Sequence, residues 1–383
     1  MANKNDIKIA IVHDYLIKIG GAERVLLEMH KVFPNAPIYT LLYDEKGTKR
    51  IFSGKGFKII TSRLQKLPKF IRNRQKLLLT KFPQAIEDFD LSDYDIVISS
   101  SNSFAHGVIT RPNTLHISYC YSPMRYVWDW HHEYLAENSI GFGLVGIIIR
   151  NMLSKIRVWD KSAAERVDSW IAISKTVELR IRKYYRASAN VVYSPANIKN
   201  IQPTGKKPEN FYLIVSRLSP YKKIDLAIEA FNKNGKKLFI VGEGSDFDRL
   251  KSTAKNNISL LGWQSDQTIA QLYARAKAFV FPGEEDFGLT PVESMAAGRP
   301  VVAYRRGGVT ESVIDGKTGV FFDEPTADSL NDAINRLELI YEKISPDACQ
   351  EQAKNFSTEK FASDFEKTIF AEYEKHQKMM EKI

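Results

Sequence analysis

Cysteine is nearly absent from this sequence, which excludes the disulfide-rich and zinc-binding classes of protein. Only Cys120 and Cys349 occur among 383 residues. They stand too far apart to form a disulfide framework or a metal-ligand spacing. Cysteine use of this kind predicts a protein of the reducing cytoplasm.

Long apolar runs are also lacking. The longest, residues 140–149, is closed by Arg150, and it has about half the length that a membrane-spanning helix needs. The amino terminus leads directly into a predicted strand and shows no apolar core of the kind found in signal peptides. We therefore expect no export, and we expect the apolar run to touch a membrane at most.

Acidic residues are missing from residues 46–86, although the rest of the chain is rich in them. This segment holds twelve basic residues and no acid, while the whole chain has a net charge of +10, so the remainder carries −2. The basic residues are Lys46, Lys49, Arg50, Lys55, Lys58, Arg63, Lys66, Lys69, Arg72, Arg74, Lys76 and Lys81. The net positive charge of the protein is therefore concentrated in residues 46–86, which we call the basic segment.

Within the basic segment, apolar residues alternate with cations at a spacing that favours a helix between Leu64 and Phe82. Such a helix could lie on an anionic membrane surface, or it could pack on the core by its apolar stripe, and the sequence favours neither interpretation. Nucleic acid is a third partner for a basic stripe. No helix-turn-helix, zinc spacing or aromatic RNA-binding motif accompanies it, and we predict no nucleic-acid binding.

The length of the chain suits two domains of about 150 to 200 residues each. Short apolar runs alternate with helical patterns throughout, which predicts parallel sheets covered on both faces. The predicted strands are residues 7–12, 37–42, 57–61, 96–99, 115–120, 169–173 and 190–193, then 211–215, 237–241, 258–260, 278–281, 301–303 and 319–322.

A stretch rich in Pro, Gly and Lys at residues 195–210 separates the two groups of strands. We therefore predict an N-terminal domain over residues 1–198 and a C-terminal domain over residues 209–355. An amphipathic helix covers most of residues 356–383, and we expect it to return to the first domain.

Two glutamates eight positions apart, Glu285 and Glu293, are the most informative residues of the chain. The strand at 278–281 leads into a Gly-rich acidic turn with Glu285, and Glu293 lies on the helix predicted from Leu289 to Ala297. In an open α/β sheet the carboxyl ends of the strands are where ligands bind, because helix N-termini present free N–H groups there. Carboxylates at this edge can accept hydrogen bonds from sugar hydroxyls.

A second pair of charged residues follows the first strand of the C-terminal domain. Arg217 and Lys222 lie between this strand and the next predicted helix. Two cations beside a helix N-terminus repel each other and oppose the helix dipole unless an anion neutralises them. A diphosphate would supply that anion.

These motifs together resemble retaining glycosyltransferase family four. The E-x7-E pair, its Glu-Asp-Phe-Gly and Ala-Ala-Gly-Arg-Pro flanks, and the Arg-Leu-x-x-x-Lys segment at 217–222 carry the resemblance. It implies a GT-B fold: two Rossmann-like doubly wound parallel-sheet domains with a cleft between them. It also implies that Glu285 faces the donor sugar, Glu293 holds the ribose, and Arg217 and Lys222 bind the diphosphate.

The resemblance assigns further residues to binding of the nucleotide-sugar donor. Ser216 and Lys223 occupy positions where the family motif usually has glycine. The further donor-binding residues are Gly20, Gly21, Gly242, Gly244, Phe287, Gly288 and Leu289.

We expect neither a metal nor a separately bound cofactor, because fixed cations can stabilise a departing diphosphate and the nucleotide sugar is itself the substrate. No Asp-x-Asp follows an apolar strand. The nearest match, Asp93-Tyr94-Asp95, precedes the strand predicted at 96–99 and is expected in a helix end or turn.

Residues Tyr119 to Asp129 resemble a stretch of bacterial mannosyltransferases and related enzymes of surface-polysaccharide synthesis. Those enzymes have histidine where this chain has Tyr121, and that histidine contacts the donor sugar. A tyrosine hydroxyl can donate a hydrogen bond but cannot carry positive charge as an imidazolium can. We therefore place Tyr121 among the candidate catalytic residues, with His106, His116, His131 and His132 as possible substitutes.

The sequence predicts a metal-independent retaining hexosyltransferase, cytoplasmic and peripheral at the inner face of the cell membrane. GDP-mannose is the first donor to consider, and a glycan or lipid-linked oligosaccharide is the expected acceptor. Three alternatives stay open: a UDP-sugar-dependent transferase, an epimerase or phosphorylase-like enzyme with the GT-B fold, and a nucleotide-sugar-binding protein impaired in turnover by Tyr121.

Overall fold

The computed structural model describes residues 6–52, 56–138, 140–201, 203 and 207–382. Lys55 of the basic segment, and Gly205 with its neighbours in the predicted domain boundary, lie outside the described residues. The chain forms two compact units. The first holds the chain up to Val192 together with the residues from Ala362 onward, and the second holds Tyr193–Phe361.

Seven parallel strands form the sheet of the first unit. They are β1 (Ile9–Leu16), β2 (Ile38–Tyr43), β3 (Ile59–Thr61), β4 (Ile96–Ser101), β5 (Leu115–Cys120), β6 (Ser169–Ala172) and β7 (Ala189–Val191). Their order in the sheet is β3-β2-β1-β4-β5-β6-β7. Every residue of β4 and β5 is buried, as expected for strands covered on both faces.

Helices surround this sheet and close its core. They are α1 (Gly21–Val32), α2 (Glu45–Phe52), α3 (Lys69–Arg72), α4 (Phe82–Glu87), α5 (His131–Glu137), α6 (Leu144–Ala164) and α7 (Lys175–Tyr184). The last helix of the chain, α15 (Thr358–Met380), contributes Phe365 to this core, where its ring lies 6.1 Å from Phe33 and 5.8 Å from Tyr119.

Between Leu64 and Phe82, the basic segment does not form the continuous helix that its spacing predicts. This part consists of a 3-10 turn at Arg63–Lys66, the four-residue α3, a second 3-10 turn at Gln75–Leu78 and the start of α4. Pro68 precedes α3 and Pro83 stands in the first turn of α4. A proline cannot donate the backbone hydrogen bond of a helix interior, so helices begin at these positions rather than pass through them.

The sheet of the second unit has six parallel strands. They are β8 (Tyr212–Val215), β9 (Leu238–Val241), β10 (Ile258–Gly262), β11 (Ala278–Phe281), β12 (Val301–Tyr304) and β13 (Gly319–Phe322). Their order, β10-β9-β8-β11-β12-β13, is that of a doubly wound nucleotide-binding sheet, in which the direction of winding reverses between β8 and β11.

The helices of the second unit connect these strands and carry its apolar faces. They are α8 (Ile224–Asn234), α9 (Phe247–Thr253), α10 (Asp266–Arg275), α11 (Leu289–Ala296), α12 (Val309–Ser312), α13 (Ala327–Ile340) and α14 (Pro346–Lys354). The predicted fold class, two Rossmann-like parallel-sheet units, is confirmed.

Candidate functional site

The charged loops of the second unit follow the two strands between which the winding reverses. Arg217 and Lys222 lie in the loop after β8, and Glu285 lies in the loop after β11. Strands β8 and β11 are hydrogen-bonded neighbours in the sheet. Loops that leave neighbouring parallel strands at this point form the crevice in which nucleotides bind to sheets of this kind.

Lys222 and Glu285 are in direct contact. The Lys222 Nζ atom lies 2.6 Å from Glu285 Oε1, and both side chains are largely buried. The Lys222 ammonium also lies 5.0 Å from the centre of the Tyr221 ring, within the range of a cation–π interaction. Both contacts fix the ammonium group at the carboxyl edge of the sheet.

Arg217 is exposed on the same loop. No ion pair of Arg217 occurs among the residues that the structure describes. An exposed guanidinium of this kind has its full set of donors available for an anion, and two parallel N–H groups match phosphate oxygens well.

The loop after β8 ends in a strained residue. Lys223 has φ +54° and ψ +36°, in the left-handed region, and directly precedes α8. The family motif has glycine at this position, and only glycine adopts this conformation without steric cost. Lys223 therefore adopts the left-handed backbone conformation that glycine would adopt at this position.

Backbone contacts hold Glu285 in place. The Glu285 carbonyl oxygen accepts a hydrogen bond from Gly308 N at 2.9 Å. A Cβ atom on Gly307, which has φ +74°, would lie only 2.2 Å from the same oxygen. Gly307 therefore lets the loop after β12 approach the Glu285 backbone.

Glu293 is held from the side of α10. The buried Tyr273 hydroxyl donates a hydrogen bond of 2.9 Å to Glu293 Oε2. Burial, followed by the charge of Glu293, raises the pKa of Tyr273 well above its ordinary value. Tyr273 therefore keeps its proton and stays a donor to the Glu293 carboxylate.

Phe287, Gly288 and Leu289 form the entry to α11. Gly288, with φ +89°, precedes the helix, and Leu289 is its first residue. The Phe287 ring is buried and lies 5.4 Å from the ring of Phe356. Phe287 thus anchors the loop, while Gly288 supplies the turn from which the helix N-terminus emerges.

Gly242 and Gly244 have a structural reason to be glycine. A Cβ atom on Gly242 would lie 1.9 Å from Ser216 O, and one on Gly244 would lie 1.9 Å from Leu218 O. The Leu218 amide also donates to Glu243 O at 2.9 Å. These glycines let the loop after β9 support the backbone that carries Arg217.

In the first unit, Tyr121 contacts the first turn of α1, next to Gly20 and Gly21. Its buried hydroxyl donates to Ala22 O at 3.0 Å and lies 2.9 Å from Ser100 Oγ. Because the tyrosine proton is donated to Ala22, the Ser100 hydroxyl donates to Tyr121. The hydroxyl of Tyr121 is therefore saturated by protein partners.

The same turn is fixed by Glu23. Gly20 N donates to Glu23 Oε2 at 2.7 Å, and His13 Nε2 lies 3.8 Å from Glu23 Oε1. Burial raises the pKa of Glu23, but hydrogen bonds from His13 and from backbone amides outweigh it, so the pKa lies below its ordinary value. Glu23 is thus a carboxylate that caps α1 at the start of the helix.

Two of the four histidines considered as substitutes for the missing family histidine are core residues. His116 is fully buried with Nε2 2.9 Å from Ser99 Oγ. His106 is buried with Nδ1 3.1 Å from Ser101 Oγ and Nε2 3.3 Å from Asp160 Oδ1. His131 and His132 lie at the start of α5, where their rings contact each other.

Sequence reasoning missed the residues that support the site. Tyr273 is distant from Glu293 in the sequence, and His13 and Ser100 are buried strand residues without a motif. Gly283 was missed as well, because its close approach to Lys222, whose carbonyl oxygen would lie 2.8 Å from a Cβ, depends on the packing of two loops. The only sequence signal for this close approach is the glycine-rich composition of the loop.

Neither a metal site nor a membrane span is found among the residues that the structure describes. They contain no group of three or more His, Cys, Asp or Glu side chains placed to hold a metal ion. The described helices include none with the length and apolar character needed to cross a bilayer. Asp93 and Asp95 lie in a turn before β4, and the Asp95 carboxylate accepts a hydrogen bond from Lys8 N at 2.8 Å.

Two Rossmann-like parallel sheets, with cations and carboxylates at the switch point of the second, are the architecture of the GT-B class of proteins. Residues 197–356 match the family model described as Glycosyl transferases group 1. The match is confined to this part of the chain, and the chain as a whole has the GT-B fold.

Individual relatives agree with this assignment. The chain is 30% identical over 220 residues to an uncharacterized glycosyltransferase of Methanocaldococcus jannaschii. This match covers 56% of this chain and 61% of that protein. It is 23% identical over 389 residues to an alpha-1,3/1,6-mannosyltransferase of Dictyostelium discoideum, covering 88% of this chain and 90% of that protein. Among solved structures, Anabaena HepE in complex with UDP matches with a TM-score of 0.69 at 17% identity, over 95% of this chain and 100% of that one.

Proposed function

We propose that this protein is a metal-independent retaining hexosyltransferase that uses a nucleotide-sugar donor. The observation that carries the proposal is the contact between Lys222 and Glu285 at the switch point of the second sheet, with the exposed Arg217 on the same loop. A nucleoside diphosphohexose needs cations for its diphosphate and an acceptor group for its sugar hydroxyls, and these loops supply both.

Each predicted site residue of the second unit has a role in this proposal. Arg217 and Lys222 bind the diphosphate, and Glu285 orients the hexose. Glu293, held by Tyr273, binds the ribose hydroxyls. The N–H groups at the start of α11, beside Gly288 and Leu289, face the phosphates, and Gly242 and Gly244 support the Arg217 loop.

The proposed transfer needs no separate protein base. The bond between the anomeric carbon and the diphosphate oxygen breaks, and the acceptor hydroxyl bonds to the anomeric carbon on the same face. The departing phosphate oxygen takes the proton of that hydroxyl. Arg217 and Lys222 lower the barrier by stabilising the negative charge that develops on the diphosphate.

In the first unit, the backbone N–H groups of Gly20 and Gly21 bind the donor in this proposal, and Tyr121 positions these glycines. The saturated hydroxyl of Tyr121 supports a positioning role better than direct contact with the sugar. The alternative is that Tyr121 abolishes turnover, so that the protein binds nucleotide sugars without transferring them. Kinetic experiments distinguish the two.

Mannose from GDP-mannose is our first choice of donor. The Met-Arg-Tyr-x-Trp-Asp segment and the similarity to an alpha-1,3/1,6-mannosyltransferase support it. The UDP in the HepE complex keeps UDP-sugars as the second choice. We propose a glycan or lipid-linked oligosaccharide of cell-surface polysaccharide synthesis as acceptor, with the protein cytoplasmic and peripheral at the inner face of the membrane, where its basic segment meets anionic lipid.

A thermal-shift panel of nucleotides and nucleotide sugars tests the donor assignment. GDP and GDP-mannose are expected to raise the melting temperature most, with or without EDTA, because binding to the folded state alone stabilises it. Product analysis without an acceptor then separates a transferase from an epimerase, which needs none. If no nucleoside diphosphate or nucleotide sugar raises the melting temperature, the donor site is wrong.

A further inference from the structure

Exposed apolar side chains gather on one part of the first unit, around the start of α6. Phe142, Leu144, Val145, Ile147 and Ile148 all expose about half or more of their surface, and Phe142 and Leu144 are exposed by 83% and 82%. We call residues 141–148 the apolar tip. An apolar cluster of this kind on a surface marks a contact with a protein or a membrane.

The apolar tip is a folded feature. The backbone of Gly146 packs on the Gly141 carbonyl so closely that a Cβ atom would lie 1.8 Å from its oxygen. Ile147 N donates to Gly143 O at 3.0 Å, and the Arg150 guanidinium lies 4.4 Å from the centre of the Phe142 ring. The side chains are therefore presented outward by a turn and the start of α6.

The basic segment lies beside the apolar tip. Lys76 Nζ donates to Asn138 Oδ1 at 2.7 Å, which ties the basic segment to the end of α5, just before the tip. Leu78 of the basic segment, Leu135 of α5 and Leu153 of α6 are also members of one buried apolar cluster.

Cations outnumber acids in this region, in which Glu133 and Glu137 of α5 are the exposed acids next to the tip. No acidic residue occurs between Lys46 and Ile86 or between Ile140 and Trp159. Lys69, Arg74 and Lys76 are exposed, and two exposed apolar residues, Phe70 and Leu77, stand next to them in the sequence. Cations that surround exposed apolar side chains are the pattern of proteins that lie in the interface of an anionic bilayer.

We propose that the apolar tip inserts into the interface of an anionic lipid bilayer, with the cations of the basic segment on the headgroups around it. This inference rests on the membrane association in the proposed function. It assigns insertion into the bilayer to residues 141–148 and electrostatic attraction to the headgroups to the basic segment. Two helical turns suffice to enter the interface and are too short to cross it. A protein partner or a second copy would favour paired charges around the apolar patch, and these two segments offer no acid for such pairs.

Vesicle flotation tests the proposal with matched variants of the full chain. The test variant is Phe142→Ser, Leu144→Ser, Ile148→Ser. Its control is Leu179→Ser, Leu339→Ser, Met379→Ser, which removes exposed apolar side chains elsewhere; Leu339 is exposed by 82%, as Leu144 is. Vesicles of pure phosphatidylcholine are compared with vesicles of equal parts phosphatidylcholine and phosphatidylglycerol.

We expect the unmodified protein to float with the anionic vesicles and to stay with the soluble fraction when only phosphatidylcholine is present. The test variant is expected to lose at least about tenfold in apparent partition coefficient, and the control variant to keep its value. Changing Lys69, Arg74 and Lys76 to Gln should remove the preference for anionic vesicles, whereas the same change at the exposed Lys251, Lys317 and Lys343 should not.

Three results would overturn the proposal: no flotation of the unmodified protein, equal loss in the test and control variants, or a dimer in gel filtration that only the test variant dissociates. The thermal shift with GDP and UDP, measured without vesicles, is expected to be the same in all variants. Loss of flotation with an unchanged nucleotide thermal shift therefore concerns only the proposed membrane surface. Unchanged flotation without a nucleotide thermal shift would count only against the proposed donor site.

Discussion

Lys222 and Glu285 form an ion pair at the place where a diphosphate and a hexose are proposed to bind. Both side chains are largely buried, so each needs a partner of opposite charge. In the proposed complex, the diphosphate becomes a second partner of the lysine, and the carboxylate becomes available to the sugar. In the proposed complex, Lys222 therefore contacts the diphosphate and Glu285 contacts the hexose.

Glu285→Gln is expected to separate nucleotide binding from transfer. Removing the carboxylate leaves Lys222 without a competing anion, so the affinity for nucleoside diphosphate should be unchanged or higher. Transfer should fall by about 100-fold or more, the size of effect seen when a group that acts in the transition state is removed. Calorimetric titration and a transfer assay measure the two effects, with Lys251→Met as a control. Parallel loss of affinity and transfer would contradict the role given to Glu285.

Tyr121→Phe tests whether the tyrosine positions the glycine turn. The change removes the tyrosine's hydrogen bond to the Ala22 carbonyl and the acceptor of the Ser100 hydroxyl, so the free energy of unfolding should fall by about 1 to 2 kcal/mol. If Tyr121 only positions the turn, kcat should change less than about tenfold, well below the effect of a lost transition-state donor. Urea unfolding and steady-state kinetics are the measurements. Unchanged stability with a large loss of kcat would show instead that the hydroxyl contacts the sugar.

His116 is expected to make the first unit less stable in acid. Burial, and then the neighbouring His106, lowers the pKa of His116 to about 3. The unfolded chain takes up a proton near the ordinary pKa of about 6.5 that the folded chain does not, so stability is complete above that value and is lost as the pH falls toward 3. Between pH 6 and 5, His116→Asn should reduce the pH-dependent loss of unfolding free energy by about 1 kcal/mol. The exposed His132→Asn is the control, and equal slopes in all three proteins would contradict the prediction.

Among the elements, the loop from β8 to α8 carries a cost at Lys223. Its left-handed backbone costs about 1 to 2 kcal/mol for a residue with a Cβ atom, part of which the flexibility of glycine in the unfolded state offsets. Lys223→Gly should raise the free energy of unfolding by about 0.5 to 1 kcal/mol, as measured by urea unfolding. Lys223→Ala removes the same charge and keeps the strain, so it should stabilise much less. An alanine variant as stable as the glycine variant would mean that charge, and not backbone strain, is the cause.

The strands could be predicted from the sequence because the interior of a doubly wound sheet requires continuous apolar runs. Each predicted strand coincides with an observed one, and the strands at Leu115–Cys120, Ala278–Phe281 and Gly319–Phe322 agree at both bounds. The basic segment could not be predicted in the same way. Its spacing fits a helix, but Pro68 and Pro83 divide it into short turns.

The candidate site was predictable only in part. The positions of Arg217, Lys222 and Glu285 at strand ends follow from the order of apolar runs and loops. Their partners do not, because Tyr273 reaches Glu293, and Gly307 reaches the Glu285 backbone, through packing between segments distant in the sequence. The hydroxyl of Tyr121 likewise meets Ala22 only because the end of β5 and the start of α1 lie at the same end of the first sheet.

For the molecule as a whole, charge and chemistry are divided between the two units. The basic segment that accounts for the net charge belongs to the first unit, and the E-x7-E pair with its cations belongs to the second. Membrane contact and diphosphate binding are therefore proposed on different residues, which is why variants of one can be used as controls for the other.

The central claim is that Arg217 and Lys222 bind the diphosphate of a nucleotide sugar, and calorimetric titration of GDP and UDP in the presence of EDTA tests it most directly. We predict measurable binding of at least one nucleotide by the unmodified protein. The affinity should fall at least about tenfold in Arg217→Met and in Lys222→Met, because each loses a charge-assisted contact to phosphate. Lys251→Met should bind as the unmodified protein does. Equal affinity in all four proteins, or no binding of either nucleotide, would contradict the claim.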